Sequence, residues 1–281
     1  MASEISLTAG MRNNLLSLQQ TTKLQGQTQE RLASGKKVNS ALDNPTNFFA
    51  AQSANNRAND LTSRKDGMSE AVQMVKAADA GITGITALIE AAKGVASAAL
   101  ATTSTTDRAA YATTFNTLMT QVSQLSSDSG YRGTNLLNAA SQTVEFAPAT
   151  NGATLSISGF DATSTGLNIS TASASTGTDW ANTSVATGTT GIKSSSTQLE
   201  SALNTLRSES SKLSANLSVV TTRQEFTDAL ITTLPPGADN LTLADMNKEG
   251  ANMLALQTRQ SLGTTSLSLA SQAAQSVLKL F

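Results

Sequence analysis

The chain of 281 residues contains no cysteine and no histidine. Disulfide scaffolds and thiolate metal sites are therefore excluded, and with histidine go the commonest general base and the commonest metal ligand. Ser-His-Asp triads, HExxH zinc sites and haem ligation are ruled out, so an enzyme would have only carboxylate, lysine or serine chemistry to draw on. Charge is scarce too: 14% of residues are ionic, 19 basic against 20 acidic, for a net charge of −1. Such a balance supplies no basic surface to neutralise phosphates, which argues against nucleic acid as a partner. Aromatic residues make up only 4%, with a single tryptophan, thin material for compact cores. Proline, at four residues, leaves the chain free to be helical.

Small polar residues fill the space: 36 serines and 40 threonines, well above ordinary usage. The first 20 residues carry Glu4 and no continuous apolar block, so they do not read as a secretory signal, and no run approaches the roughly 18 apolar residues of a membrane span. The expectation is a soluble chain, or one that leaves the cell by a route reading no such signal, with no membrane partner.

Helical periodicity organises most of the length. Leu7, Met11, Leu15 and Leu18 recur at threes and fours among polar residues, predicting one helix over residues 3–33 that ends near Ser34-Gly35. Asp43-Asn44-Pro45 is a start signal for a second helix near Asn44. That helix is expected to run to about Ala101, with Met68, Val72, Val75, Ile82, Ile85, Ile89 and Ala96 on its apolar stripe and Gly81, Gly84 and Gly94 as weak points. After a Ser/Thr break over residues 102–106, Asp107 opens a shorter helix carrying Phe115, Leu118, Val122 and Leu125 and ending near Ser129-Gly130. Leu199, Leu203, Leu206, Ser210, Leu213, Leu217 and Val220 step alternately by four and three, a heptad seam with one polar interruption. Leu234-Pro235-Pro236-Gly237 is expected to break that helix, and a last one to start near residues 240–242 with Leu254, Leu262, Leu269, Val277 and Leu280.

Helix periodicity vanishes between Phe146 and Ile192, where only Asp161 and Asp179 are charged. Val144/Phe146, Leu155/Ile157 and Leu167/Ile169 are apolar pairs separated by one polar residue, and Asn151-Gly152 is a turn signal, so a small antiparallel β subdomain is expected. The fold class is thus mainly α: an elongated molecule of long antiparallel coiled-coil helices from both chain ends, with a small β subdomain in the middle. Both end helices carry an apolar stripe and few charges, so each must pack on the other or on further copies of the chain. A self-complementary chain with such unclosed contacts builds a helical homopolymer.

Residues 31–45, RLASGKKVNSALDNP, resemble the turn between the first two helices of bacterial flagellins. Ala244-Asp245, Glu249, Asn252-Met253 and the run AQSVLKLF that closes the sequence resemble the flagellin carboxyl-terminal region. The resemblance covers roughly residues 1–140 and 194–281. It implies five segments: a filament-core helix and connecting turn over 1–43, with Gly35, Lys36, Lys37, Asp43, Asn44 and Pro45 in the turn; halves of a rod domain over 44–139 and 194–239, the latter including the Pro-Pro-Gly turn; a Ser/Thr-rich outer region over 140–193; and a second filament-core helix over 240–281. It further implies export through the flagellar secretion channel, with an export apparatus, an export chaperone, a filament cap and hook-junction proteins as partners, and an extracellular filament that drives swimming. The hook-filament junction protein is the alternative; a secreted helical effector or translocator ranks below it. No enzyme activity, cofactor or metal is expected.

Other motifs read as structural. Lys36 and Lys37 beside Gly35 lack a GxxxxGK[ST] context for phosphate. Asp66, Glu70, Asp79 and Glu90 read as helix-surface charges or partners of Arg57, Arg64 and Lys65 in neighbouring turns, and Asn168-Ile-Ser and Asn182-Thr-Ser fit an N-glycan sequon whose use intact mass would reveal. Flagellins that stimulate the innate flagellin receptor carry a Gln-Arg pair and a further arginine on the rod helix; here that stretch reads Leu88-Ile-Glu-Ala-Ala-Lys-Gly-Val-Ala, with Glu90 at the first arginine's place. The resemblance therefore predicts weak receptor activation, measured as a reporter-cell response to purified monomer; a strong response at ordinary concentrations would refute it.

Overall fold

The computed structural model describes residues 9–147, 152–175, 177 and 179–278. Leu7, Asn151 and Leu280, and the side chain of Val277, lie outside the described residues. What is described is mainly α, with five long helices and one two-stranded sheet. Helix α1 (Ala9–Ser34) closes on Gly35, whose φ of 71° is left-handed and whose N–H returns to the Arg31 carbonyl at 2.9 Å, an αL cap that favours glycine. Helix α2 (Pro45–Ala101) starts where expected: the Asn44 side-chain oxygen accepts the Asn47 N–H at 3.0 Å and proline occupies the first helical position. Helix α3 (Thr105–Asp128) begins two residues before Asp107, because the Ser104 hydroxyl takes the cap by accepting the Asp107 N–H at 3.3 Å.

The chain forms two compact units, residues 59–231 and residues 1–58 with 232–281. In the first, one continuous core joins Met68, Val75, Ile82, Ile85 and Ile89 of α2, Phe115, Met119 and Val122 of α3, and Leu199, Leu203, Leu206, Leu213 and Val220 of α4 (Val185–Thr242). Val72, Leu118, Leu125 and Leu217 pack against it half-buried. The polar break in the α4 seam is used: Ser210 Oγ donates to Asp79 Oδ1 at 3.0 Å. Gly84 is a site of close approach, not a weak point, since a Cβ there would lie 2.8 Å from Leu125 Cδ2 of α3.

The middle of the chain departs from expectation. Only two strands form among the described residues, β1 (Ser141–Glu145) and β2 (Thr154–Ser158), antiparallel with Val144 opposite Leu155. Leu167 and Ile169 are buried but sit in a turn, held by the Leu167 N–H on Thr163 O and the Ile169 N–H on Ser164 O. A five-residue hairpin cannot hold itself together in water, so its apolar side joins the helical core: Val144, Phe146, Ile157, Leu167, Ile169, Ala172 and Trp180 all belong to that one cluster. The segment is a strap along the helices. It is fixed near Arg64 and Arg223, where Glu145 pairs with the first and Phe146 lies 5.4 Å beneath the second. Further along, Asn116 exchanges hydrogen bonds with Ala172, and Trp180 packs 5.0 Å from Phe115 while donating to Ser195 Oγ at 3.1 Å.

Arg108, only 1% exposed, has no counterpart in the sequence reading. Its guanidinium donates to the Thr102 carbonyl just past α2, the Val185 carbonyl at the start of α4 and Thr189 Oγ1, so one cation on α3 ties the end of α2 to the start of α4. Asp66, Glu70, Asp79 and Glu90 are exposed on α2, the first of the two expected readings, but the ion pairs do not run to Arg57, Arg64 or Lys65 in neighbouring turns. Glu70 pairs with Arg132, Lys65 with Asp228 at 2.6 Å and Lys93 with Glu200 at 2.8 Å: the long side chains reach across elements instead of along their own helix.

Two further expectations are corrected. Helix α2 does hold an 18-residue window of mean hydropathy 1.3, long and apolar enough by composition to cross a membrane. In this unit that helix is a core helix, with Ile82, Ile85, Ile89, Ala92 and Ala96 buried. And Pro235-Pro236-Gly237 does not break α4, which runs through to Thr242. Two internal prolines cost several kcal/mol, about 3 each, but the far end is fixed by packing: Ala238 is buried and the Thr242 carbonyl accepts the Lys37 and Val38 N–H groups at 2.7 and 3.3 Å. The last helix, α5 (Met246–Leu278), consequently starts later than expected.

Leu206→Ala in the seam is expected to lower the stability of the residue 59–231 unit by about 2–5 kcal/mol, whereas Thr205→Ala beside it should change it by under about 0.5 kcal/mol. Urea titration followed by the fluorescence of Trp180 measures both.

Candidate self-assembly site

In the other unit the two chain ends meet. Helices α1 and α5 pack antiparallel: Asn14 Nδ2 donates to Ser266 Oγ at 2.9 Å at one end, and Arg31 Nη1 pairs with Glu249 at 3.3 Å at the other. Glu249 is 7% exposed and also accepts from Asn252 at 3.5 Å. Polar side chains meet beside apolar ones: Leu18 approaches Gly263 so closely that a Cβ there would lie 2.9 Å from Leu18 Cδ1. Between the pairs lie two open cavities, ≈ 380 Å³ lined by residues including Leu18, Thr21, Leu262 and Gly263, and ≈ 270 Å³ lined by Leu24, Thr28, Leu256 and Arg259 among others.

The turns at the base of this hairpin are joined by backbone. Lys36 forms an antiparallel bridge with Leu243, the Ala244 N–H donates to Gly35 O at 2.9 Å, and Lys37 Nζ reaches Asn240 O at 3.2 Å. Each turn also caps the helix that follows it: Asn44 for α2, as above, and Asp245, whose Oδ1 accepts the Asn247 and Lys248 N–H groups at 3.0 and 3.1 Å, for α5. Asp43 organises the first turn, its Oδ2 accepting the Asn39 and Ser40 N–H groups at 3.0 Å and the Ser40 hydroxyl at 3.2 Å. The Ser40 N–H, and after it the Asn39 N–H, hold this exposed carboxyl below its ordinary value. Arg31, Lys37, Asp43, Lys248 and Glu249 line a cavity of ≈ 540 Å³ here. Among the described residues, no group of three acidic side chains comes together that could hold a metal ion.

The end helices hide little of their apolar surface. Met11 and Leu256 are buried and Leu18 half-buried, but Leu15, Leu16 and Leu24 are exposed on α1, and Leu254, Leu262 and Leu269 are 62–67% exposed on α5. At 3.6 residues per turn those three fall within about 80° of one another. The sequence reading placed Met11, Leu15, Leu18, Leu254, Leu262 and Leu269 in one assembly set; the structure sets Met11 apart as a buried contact. It missed Leu42 at 97%, Leu243 at 45% and Met246 at 49% exposure, lone apolar residues whose significance lies only in being held out by the turns. The residues read as rod packing lie in or against the core of the other unit.

A helical chain whose first and last segments complete one unit together, leaving leucines bare on both, belongs to the class of self-associating subunits. Residues 5–142 match the family description "Bacterial flagellin N-terminal helical region" and residues 196–281 "Bacterial flagellin C-terminal helical region". The chain belongs to the bacterial flagellins. It is 41% identical over 64 residues to Flagellin of Brucella melitensis biotype 1, a stretch covering 23% of each chain. It is 43% identical over 60 residues to Flagellin FljM of Caulobacter vibrioides, covering 21% of this chain and 22% of that one. With Flagellin C of Rhizobium meliloti it shares 38% over 69 residues, 23% and 22% of the two lengths. The chain thus spans under a quarter of the length of the curated relatives it matches.

Since the folded-state pKa of Asp43 is depressed, its charge contributes stability above the ordinary carboxylate pKa, and that contribution is lost as pH falls through the lowered value. Asp43→Asn, which keeps an acceptor but not the charge, should therefore melt lower than the parent at neutral pH, with the gap closing in acid; circular-dichroism melts across the carboxylate range test this.

Proposed function

We propose that this chain is the structural subunit of a bacterial flagellar filament, exported and polymerised outside the cell as the propeller for swimming. The observation that carries the reading is the exposed leucine face of α5. Burying Leu254, Leu262 and Leu269 against other copies would contribute about 1.5–3 kcal/mol each, enough to drive association that a single chain cannot satisfy. The role is mechanical and involves no catalysis, cofactor, nucleic acid or membrane. Residues 1–43 and 240–281 supply the filament-core helices, 44–139 and 194–239 the surrounding rod, and 140–193 the outward strap of serine and threonine. Of that strap's two sequons, Asn182 has its amide committed, donating to Gly177 O at 3.1 Å and accepting the Ser184 N–H at 2.9 Å, while Asn168 is the one of the pair with a left-handed backbone, at a φ of 57°. An export apparatus and chaperone, a filament cap and hook-junction proteins are the partners of this reading. Weak activation of the innate receptor follows from Glu90, exposed on α2.

Deleting residues 262–281 should abolish filaments under electron microscopy while leaving the fluorescence of Trp180, in the other unit, unchanged. Normal filaments from the truncated chain would overturn the assembly mechanism, as would normal filaments from Leu262→Asp.

A further inference from the structure

We infer that the ≈ 270 Å³ cavity between α1 and α5 is a binding site for a small amphipathic carboxylate, one negative charge on a short apolar chain. The cavity lies between two helices of a single copy, inside the unit built from the chain ends. It is therefore independent of the filament reading.

Its walls hold donors without partners. Thr28 is 6% exposed and lines the cavity, yet its hydroxyl has no hydrogen-bond partner among the described residues. Thr21 and Thr22 of the same helix show the ordinary solution, each donating to a carbonyl one turn back at 2.8 and 3.0 Å. A hydroxyl withdrawn from water and left unpaired is unfavourable, and the little surface that Thr28 keeps opens on the cavity it lines. Arg259 of α5 adds a cation: its guanidinium has no ion pair or hydrogen bond among the described residues. Side chains on a helix lean toward its N-terminus, which carries this guanidinium back over Ala255 and Leu256.

The other charges on the lining are already met. Arg31 pairs with Glu249 at 3.3 Å, and Glu249 also accepts from Asn252. With that pair neutral, Arg259 leaves the lining at net +1, which suits a monoanion and repels a cation. Leu24, Ala255 and Leu256 form the apolar part of the wall. A carboxylate offers acceptors to both the guanidinium and the hydroxyl while its chain covers these side chains, whereas a bare phosphate would leave them in water. Size narrows the choice further. A cavity of about 150 Å³ takes a benzene, so this one holds about ten non-hydrogen atoms, the size of octanoate.

Octanoate titrated into the monomeric full chain, followed by calorimetry and by backbone-amide NMR, is expected to fill one saturable site and to shift the Thr28 and Leu256 amides. Octanol, the same chain without the charge, should bind about tenfold more weakly, as should octanoate to Arg259→Gln, an exposed position whose change leaves the fold intact. Thr28→Val removes the hydroxyl at nearly constant shape. Since that hydroxyl has no partner, the free variant should melt no lower than the parent, while its octanoate affinity falls about threefold. Binding that fails to saturate by about 10 mM would overturn the proposal, as would equal affinity for octanol or for Arg259→Gln. A free Thr28→Val protein that melts lower than the parent would do the same, being the sign of a hydroxyl already bonded. In each case the filament reading, which uses no part of this cavity, would stand.

Discussion

The backbone pairing of residues 35–38 with 242–244 is the constraint on which the unit built from the chain ends depends. Helices in proteins draw most of their stability from packing, and α1 and α5 pack on each other. Main-chain contacts from Gly35, Lys36, Lys37 and Val38 to Thr242, Leu243 and Ala244 fix the register in which the helices meet, and the pairs Arg31–Glu249 and Asn14–Ser266 follow from it. The hairpin buries Met11 and Leu256 and half-buries Leu18, but leaves Leu254, Leu262 and Leu269 exposed. They remain free for other copies.

The second unit follows a different economy. Its helices are long and regular, yet what closes the core is irregular: a strap of few charges that lays one apolar residue at a time between α2, α3 and α4. Arg108, itself on α3, links the residue just past the end of α2 to the first turn of α4. Buried arginine is costly unless its donors are met, and here they are met by the Thr102 and Val185 carbonyls and the Thr189 hydroxyl.

Much of this was legible in the residues. The 4,3 step of Leu199 to Val220 and the Asn44-Pro45 start follow from local rules that tertiary structure had no reason to override, and the turn motifs named the family. What was not legible had non-local causes. Pro235-Pro236 reads as a break, and is overruled by anchoring at Ala238 and Thr242 to a segment near the opposite end of the sequence. Leu167/Ile169 shows the alternation of a strand, but the same spacing also serves a turn that plants two side chains on a helix. Arg108 resembles any surface arginine until the ends of α2 and α4 are placed around it. The solvent-facing leucines of α5 were expected from the lack of covering sequence, whereas the exposure of Leu42 depended on turn geometry that no periodicity reports.

The pairing of residues 35–38 with 242–244 also sets an order of events. The two strands of that bridge are separated by about 200 residues of chain, so loop closure must wait until nearly everything else has emerged. The N-terminal helix lacks its α5 contacts during that interval, while residues 59–231 form a compact unit of their own. Completion of the terminal unit is thus tied to chain integrity: a molecule missing its distal segment would leave α1 without the partner it has here.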